Sequence, residues 1–72
     1  NVDFYELFSI ISYIDEINIE KDIINDNLIV IGDYSDISNI FKALNNYKFS
    51  FKLNLIKVTS FKKYYQLTIF ND

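Results

Sequence analysis

Residues 28–44 constrain the fold most strongly, because they join a short apolar run to an amphipathic segment through the only glycine of the chain. Residues 28–31 are bulky or β-branched and too few for a helix, so they predict a strand buried on both faces. Further along, apolar residues recur at helical spacing and predict a helix over residues 36–45 with one apolar face. The residues of that face are Ile37, Ile40, Phe41 and Leu44.

The junction at Gly32 predicts a tight turn followed by a helix start. Glycine adopts backbone angles that other residues avoid, and we expect Gly32 to use them. Asp33, Ser35 and Asp36 supply oxygens for the free N–H groups of a helix start, and Ser35 is predicted to act as a cap. The two carboxylates also suit the positive end of the helix dipole. The junction is therefore interpreted as structural rather than as a phosphate, calcium or catalytic site.

Composition limits the chemistry that this chain can perform. Its 72 residues predict one small domain over residues 1–72, and the 50% hydrophobic and 18% aromatic content favours an ordered core. The chain contains neither cysteine nor histidine, which removes thiolate ligands and the commonest catalytic base. The net charge is −3 and all seven basic residues are lysines, which disfavours nucleic acid. We therefore predict no catalytic residue, cofactor or metal.

The other predicted elements follow from alternating or helical spacing. A helix is expected over residues 4–14, with Asp3 and Glu6 forming a capping box. The remaining elements are an edge strand over 17–23, a polar turn over 25–27, a strand over 49–58, a turn over 59–63 and a final strand over 64–70. Ile56 and Val58 change the apolar parity of the 49–58 strand, which indicates a bulge.

This order of elements predicts an α+β domain. Right-handed crossover rules place the last strand between the second and third, giving the sheet order 3-4-2-1 with all neighbours antiparallel and both helices on one face. That architecture is a circularly permuted ferredoxin-like sandwich with a four-stranded sheet (αββαββ). A separated pair of hairpins is the alternative.

An apolar patch is expected on the sheet face away from the helices. If Leu28 and Val30 face the helices, the alternate isoleucines point the other way, beside aromatic residues of the last strand. Exposed apolar patches often mark interaction surfaces. The candidate partner-binding residues are Ile29, Ile31, Tyr64 and Phe70. The alternative is that the predicted strand parity is wrong.

Aromatic residues also alternate along the 49–58 strand, as in sheets that stack single-stranded RNA. Phe49 and Phe51 share parity with Leu53 and Leu55, however, as core residues do. These four side chains are therefore predicted to lie in the core.

Residues 27–58 carry a pattern found in one family of bacterial assembly proteins. A strand ends in glycine, a turn with a small polar residue starts an apolar-striped helix, and a Phe-containing strand follows. The residues that carry it are Leu28, Val30, Gly32, Ser35, Ile37, Phe41, Leu44 and Phe49. The pattern resembles the extracytoplasmic domain of the type IV pilus assembly protein PilN and the related L protein of type II secretion.

The resemblance implies a non-enzymatic protein–protein assembly module of a bacterial type IV pilus or type II secretion inner-membrane platform. It implies dimerisation with itself or with a sister assembly protein. It also implies a place on the extracytoplasmic side of the inner membrane, with this chain a fragment of a longer protein anchored by an upstream transmembrane helix. The alternative function is a small-molecule-binding regulatory domain resembling amino-acid sensor domains.

Overall fold

The computed structural model describes residues 4–13, 18–22 and 25–71. The elements run in the order α1 (Phe4–Ser12), β1 (Asn18–Asp22), β2 (Asn27–Asp33), α2 (Tyr34–Ala43), β3 (Phe51–Val58) and β4 (Lys63–Ile69). The predicted capping role of Asp3, the end of the first helix at residue 14 and the strand ends at residues 17 and 23 lie outside the described residues.

All strand pairs are antiparallel. β2 lies between β1 and β4, and β3 pairs with the other side of β4. The register sets Val30 and Leu53 on opposite sides of Leu67, so the three side chains point to the same face of the sheet. β3 pairs with β4 alone among the described strands and therefore forms one edge of the sheet.

The predicted circularly permuted ferredoxin-like sandwich, with a four-stranded sheet beneath two helices, is wrong; the fold is a small α+β domain. In the antiparallel sheet of β2, β4 and β3, only β2 and β4 have buried side chains, so the helices cover two of these three strands. α2 contacts β2 and β4, whereas α1 packs on α2. The two helices are only 9 and 10 residues long and leave the side chains of β3 exposed, so no full sandwich layer forms.

The core lies between the helices and these two strands. Leu28 and Val30 are fully buried on the helix side and Gly32 is buried beside them, which confirms the predicted parity of β2. The buried hydrophobic residues of the described part are Phe4, Leu7, Ile11, Leu28, Val30, Ile37, Ile40, Leu44, Leu67 and Ile69.

The start of α2 differs from the prediction in two ways. Asp33, not Ser35, is the N-cap: the backbone N–H of Asp36 donates to Asp33 Oδ1 at 2.9 Å, and the backbone N–H of Asp33 donates to Asp36 Oδ2 at 3.2 Å. Ser35 lies inside the first turn, so its predicted capping role is wrong. Gly32 belongs to β2 and has no positive φ. A Cβ at Gly32 would lie 2.8 Å from Asp36 Cβ, so the glycine is needed for close approach of the helix rather than for an unusual turn.

Both predicted hairpins are present. Asp26 has a φ of 54° in the turn before β2, which confirms the left-handed backbone expected there. The register of β3 shifts between Leu55 and Lys57, which confirms the predicted bulge. Among the described residues, neither helix is long and apolar enough to span a membrane.

Candidate interaction surface

β3 presents a series of exposed apolar side chains. The exposed fractions are 49% for Phe51, 42% for Leu53, 53% for Leu55, 47% for Ile56 and 61% for Val58. We call these five residues the β3 apolar edge. The prediction that Phe51, Leu53 and Leu55 lie in the core is therefore wrong, and Phe49 is only partly buried against the core.

The exposure of β3 does not come from pointing away from the helices. Phe51 lies opposite Ile69 and Leu53 opposite Leu67, and both β4 residues are fully buried on the helix side. Side chains directly opposite each other share a face of the sheet. The side chains of Phe51, Leu53 and Leu55 thus point to the helix side of the sheet, but the helices cover them only in part.

The backbone of β3 is also available at this edge. The N–H of Phe70 donates to the carbonyl of Ser50 at 2.9 Å, which marks that pair as hydrogen-bonded. Because hydrogen-bonded and non-hydrogen-bonded pairs alternate along an antiparallel ladder, the N–H and C=O groups of Phe51, Leu53 and Leu55 point away from β4. No described strand pairs with β3 on that side. An edge of this kind is a template for pairing with another strand.

The β3 apolar edge is continuous with an apolar groove beside α2. Phe41 of α2 contacts Phe51 with ring centroids 5.1 Å apart, and Phe49 lies 6.3 Å from Phe41 and 5.7 Å from Phe51. Leu53 borders a groove of about 230 Å³ on the same side. The groove is lined by Tyr34, Ile37, Ser38, Phe41, Leu53 and Tyr65. The exposed strand and the flank of α2 therefore form one surface.

Charge on β3 is confined to the opposite face of the sheet. Lys52 lies opposite Thr68, and Lys57 lies opposite Tyr64 with its Nζ 5.8 Å from the centroid of the tyrosine ring. β3 contains no acidic residue. The helix side of the strand is thus apolar, and the other side carries two ammonium groups.

The four predicted partner-binding residues lie on or near the face of the sheet away from the helices. Ile29 and Ile31 are half-buried, and they face Thr68 and Gln66 of β4 rather than an aromatic residue. Tyr64 is half-buried opposite Asp33. Phe70 follows β4 and is 37% exposed. Polar neighbours interrupt the apolar surface between the isoleucines and the aromatic rings, and a role of these residues in binding stays a prediction.

A second depression lies where α2 begins, next to the turn between β3 and β4. Lys62 Nζ is 3.2 Å from Asp33 Oδ2, and Phe61 at the tip of the turn is 94% exposed. The Asp36 N–H, together with Lys62, holds the pKa of Asp33 below its ordinary value, and Asp33 in turn raises the pKa of Lys62. The depression, of about 500 Å³, is lined by Asp33, Tyr34, Ser35, Phe61, Lys62, Lys63 and Tyr65. This ion pair joins the start of α2 to the β3–β4 turn.

The exposed apolar series was missed by reasoning from sequence, although a signal for it existed. The predicted strand order already placed the 49–58 strand at the sheet edge, and the alternation of apolar residues was taken as a sign of burial. Alternation identifies the face to which a side chain points, but not whether another element covers that face.

In the described part of the chain, no three acidic side chains lie together as a metal site.

No protein-family model, no curated protein and no solved structure matches the chain.

Proposed function

We propose that this chain is a non-enzymatic protein–protein assembly module that binds its partner through the β3 apolar edge. The observation that carries the proposal is the coincidence, on one edge strand, of exposed apolar side chains and outward-pointing backbone groups. A strand added to such an edge gains main-chain hydrogen bonds, and its alternate side chains meet the apolar residues.

The size of the surface suits this role. A large apolar side chain presents on the order of 150–200 Å², and five such side chains that are each about half exposed offer on the order of 400–500 Å². That is as large as the largest apolar patch of a typical monomer, roughly 300–600 Å². The area is more than half of the roughly 800 Å² that each partner buries in a standard interface.

A narrower proposal concerns the machine to which the module belongs. The resemblance of residues 27–58 to PilN and to the L protein of type II secretion supports a place in the inner-membrane platform of a pilus or secretion system. The partner would then be a second copy or a sister assembly protein on the extracytoplasmic side. Co-purification of this chain with such platform proteins from membranes tests this assignment, and purification with unrelated partners would contradict it.

The decisive experiment compares two variants on neighbouring positions of β3. Leu55→Asp places a charge on the apolar side of the strand, whereas Asn54→Asp adds the same charge on the other side. Binding is measured by sedimentation velocity over a wide concentration range, and by affinity purification from the native cells with quantitative mass spectrometry.

We expect Leu55→Asp to weaken partner binding at least tenfold and Asn54→Asp to weaken it far less. Circular dichroism and thermal unfolding check that both variants fold. A wild-type chain that remains monomeric at millimolar concentration and retains no partner would overturn the proposal, as would equal binding by the two variants. An amino acid that raises the unfolding free energy by about 2.7 kcal/mol at 100 times its Kd would instead favour the sensor alternative.

A further inference from the structure

We infer that the occupant of the β3 apolar edge is a second copy of this chain, joined through antiparallel β3–β3 pairing about a two-fold axis at Leu53. This inference rests on the proposed function and adds the identity and register of the partner. It follows from the direction of the β3 backbone groups, the position of the bulge and the position of the lysines.

The outward backbone groups of β3 define which residues pair. Phe51, Leu53 and Leu55 point their N–H and C=O groups to the free edge, so they form the hydrogen-bonded pairs of an added antiparallel strand. With the axis at Leu53, this residue pairs with Leu53 of the second copy, and Phe51 pairs with Leu55 of the second copy. The arrangement provides roughly six N–H···O bonds, two for each hydrogen-bonded pair.

Two neighbouring registers are worse for identifiable reasons. An axis at Lys52 sets the two Lys52 ammonium groups directly opposite each other, and like charges in that position destabilise pairing. An axis at Asn54 sets Phe51 opposite Lys57 and carries the pairing into the bulge between Leu55 and Lys57. With the axis at Leu53, Lys52 faces Asn54 of the second copy, and the pairing ends before the bulge.

The side chains favour the same register. Pairing at Leu53 sets Phe51, Leu53 and Leu55 against the same three residues of the second copy, all on the helix side of the sheet. Aromatic and aliphatic cross-strand pairs contribute roughly 0.2–1 kcal/mol each relative to alanine pairs. The two-fold contact occupies the free β3 edge of both copies at once, so the β3–β3 contact closes as a dimer. A contact of β3 with β1 of another copy would instead leave an edge free on each copy and grow into filaments.

The experiment uses the absence of cysteine from the native chain. Leu53→Cys places two thiols across the proposed axis, where Cα atoms of a hydrogen-bonded pair are about 5.5 Å apart, within the roughly 4.4–6.8 Å that a disulfide spans. Leu55→Cys is the matched control, because it lies on the same face and is similarly exposed. In the proposed register its thiols are four residues apart along the strands, about 13 Å.

Under mild oxidation, we expect Leu53→Cys to form a covalent dimer at least tenfold faster than Leu55→Cys, measured by non-reducing electrophoresis and size-exclusion chromatography. The double variant Phe51→Cys/Leu55→Cys is expected to cross-link as well, since each thiol then faces one of the second copy. Sedimentation velocity of the wild-type chain is expected to show a concentration-dependent dimer.

Three results would overturn the inference: equal cross-linking of Leu53→Cys and Leu55→Cys, growth into filaments, or a wild-type chain that stays monomeric. If the chain is monomeric but binds another protein that Leu55→Asp releases, the second copy is the wrong partner and the proposed function stands. If the chain is monomeric and binds nothing, the proposed function fails too.

Discussion

Leu67 and Leu53 lie directly opposite each other on adjacent strands and point to the same face, yet Leu67 is fully buried and Leu53 is 42% exposed. Their sequence contexts are alike, since each belongs to a strand of alternating apolar and polar residues. The difference arises from the helices, because α2 packs on β2 and β4 and meets β3 only at its flank, through side chains such as Phe41. Identical residues on one face of a sheet can thus belong to the core or to an interaction surface.

The position of α2 creates this difference, and contacts at its first residues set that position. The helix begins directly after β2, with its first turn packed against Gly32 and capped by Asp33. Ile37 and Ile40 then pack into the core with residues of β2 and β4. A helix held this close to the end of β2 leaves the side chains of β3 partly exposed.

The largest expected effect separates the two leucines. Leu67→Ala is expected to cost about 2–5 kcal/mol of unfolding free energy because it leaves a cavity in the core, whereas Leu53→Ala is expected to cost about 1 kcal/mol because much of the side chain is already in water. Urea unfolding at protein concentrations below dimerisation measures both values. Equal losses would show that β3 is covered in solution.

A smaller effect is expected at the contact between β2 and α2. Gly32→Ala is expected to destabilise the fold by about 1–3 kcal/mol, because the new methyl group overlaps Asp36 Cβ. Removing that atom with Asp36→Gly tests the cause in a double-mutant cycle, in which the alanine is expected to cost less. An alanine tolerated without loss would show that the helix can move away from β2.

The helix cap should matter less than packing. Asp33→Ala is expected to lower the Tm by several degrees, and Asp33→Ser by less, since a serine hydroxyl still accepts a backbone N–H. The pKa of Asp33 is lowered in the folded state, so its ionised form stabilises the fold above the ordinary value of 3.8 and that contribution is lost as pH falls through the lowered pKa. Thermal unfolding from pH 2 to pH 7 is expected to show that the difference in Tm between the wild type and Asp33→Ser becomes smaller as the pH falls. A Tm difference that does not change with pH would contradict the stabilising role of ionised Asp33.

The ion pair between the β3–β4 turn and α2 should have the smallest effect. Lys62 is 57% exposed, so Lys62→Met is expected to lower the Tm only slightly and only at low salt. The pKa of Lys62 is raised by Asp33, so its contribution is present below the ordinary value of 10.5 and is lost as pH rises through the raised pKa. Tm values at low and high salt test this, and a drop larger than that of Asp33→Ala would mean that the turn positions α2.

Several local features could be predicted from sequence because each depends on a few adjacent residues. The hairpin turn at Asp26, the bulge after Leu55 and the inward parity of Leu28 and Val30 follow from turn chemistry and alternation. Asp33, Ser35 and Asp36 were all predicted to supply oxygens at the helix start; Asp33 and Asp36 do so, whereas Ser35 is not the cap because the helix already begins at Tyr34. Gly32 was predicted to adopt unusual backbone angles in a turn, but it is needed because the strand and Asp36 of the helix approach each other closely.

The sequence by itself determined the order of helices and strands and the face to which most apolar side chains of the strands point. It also determined that the chain contains neither histidine nor cysteine. These properties depend on local backbone preferences, side-chain period and composition. Only the tertiary structure decided which of those faces are covered, because coverage depends on where short helices lie relative to a sheet. Because the helices do not cover β3 fully, residues of this strand that were predicted to lie in the core form the surface through which we propose that the chain assembles.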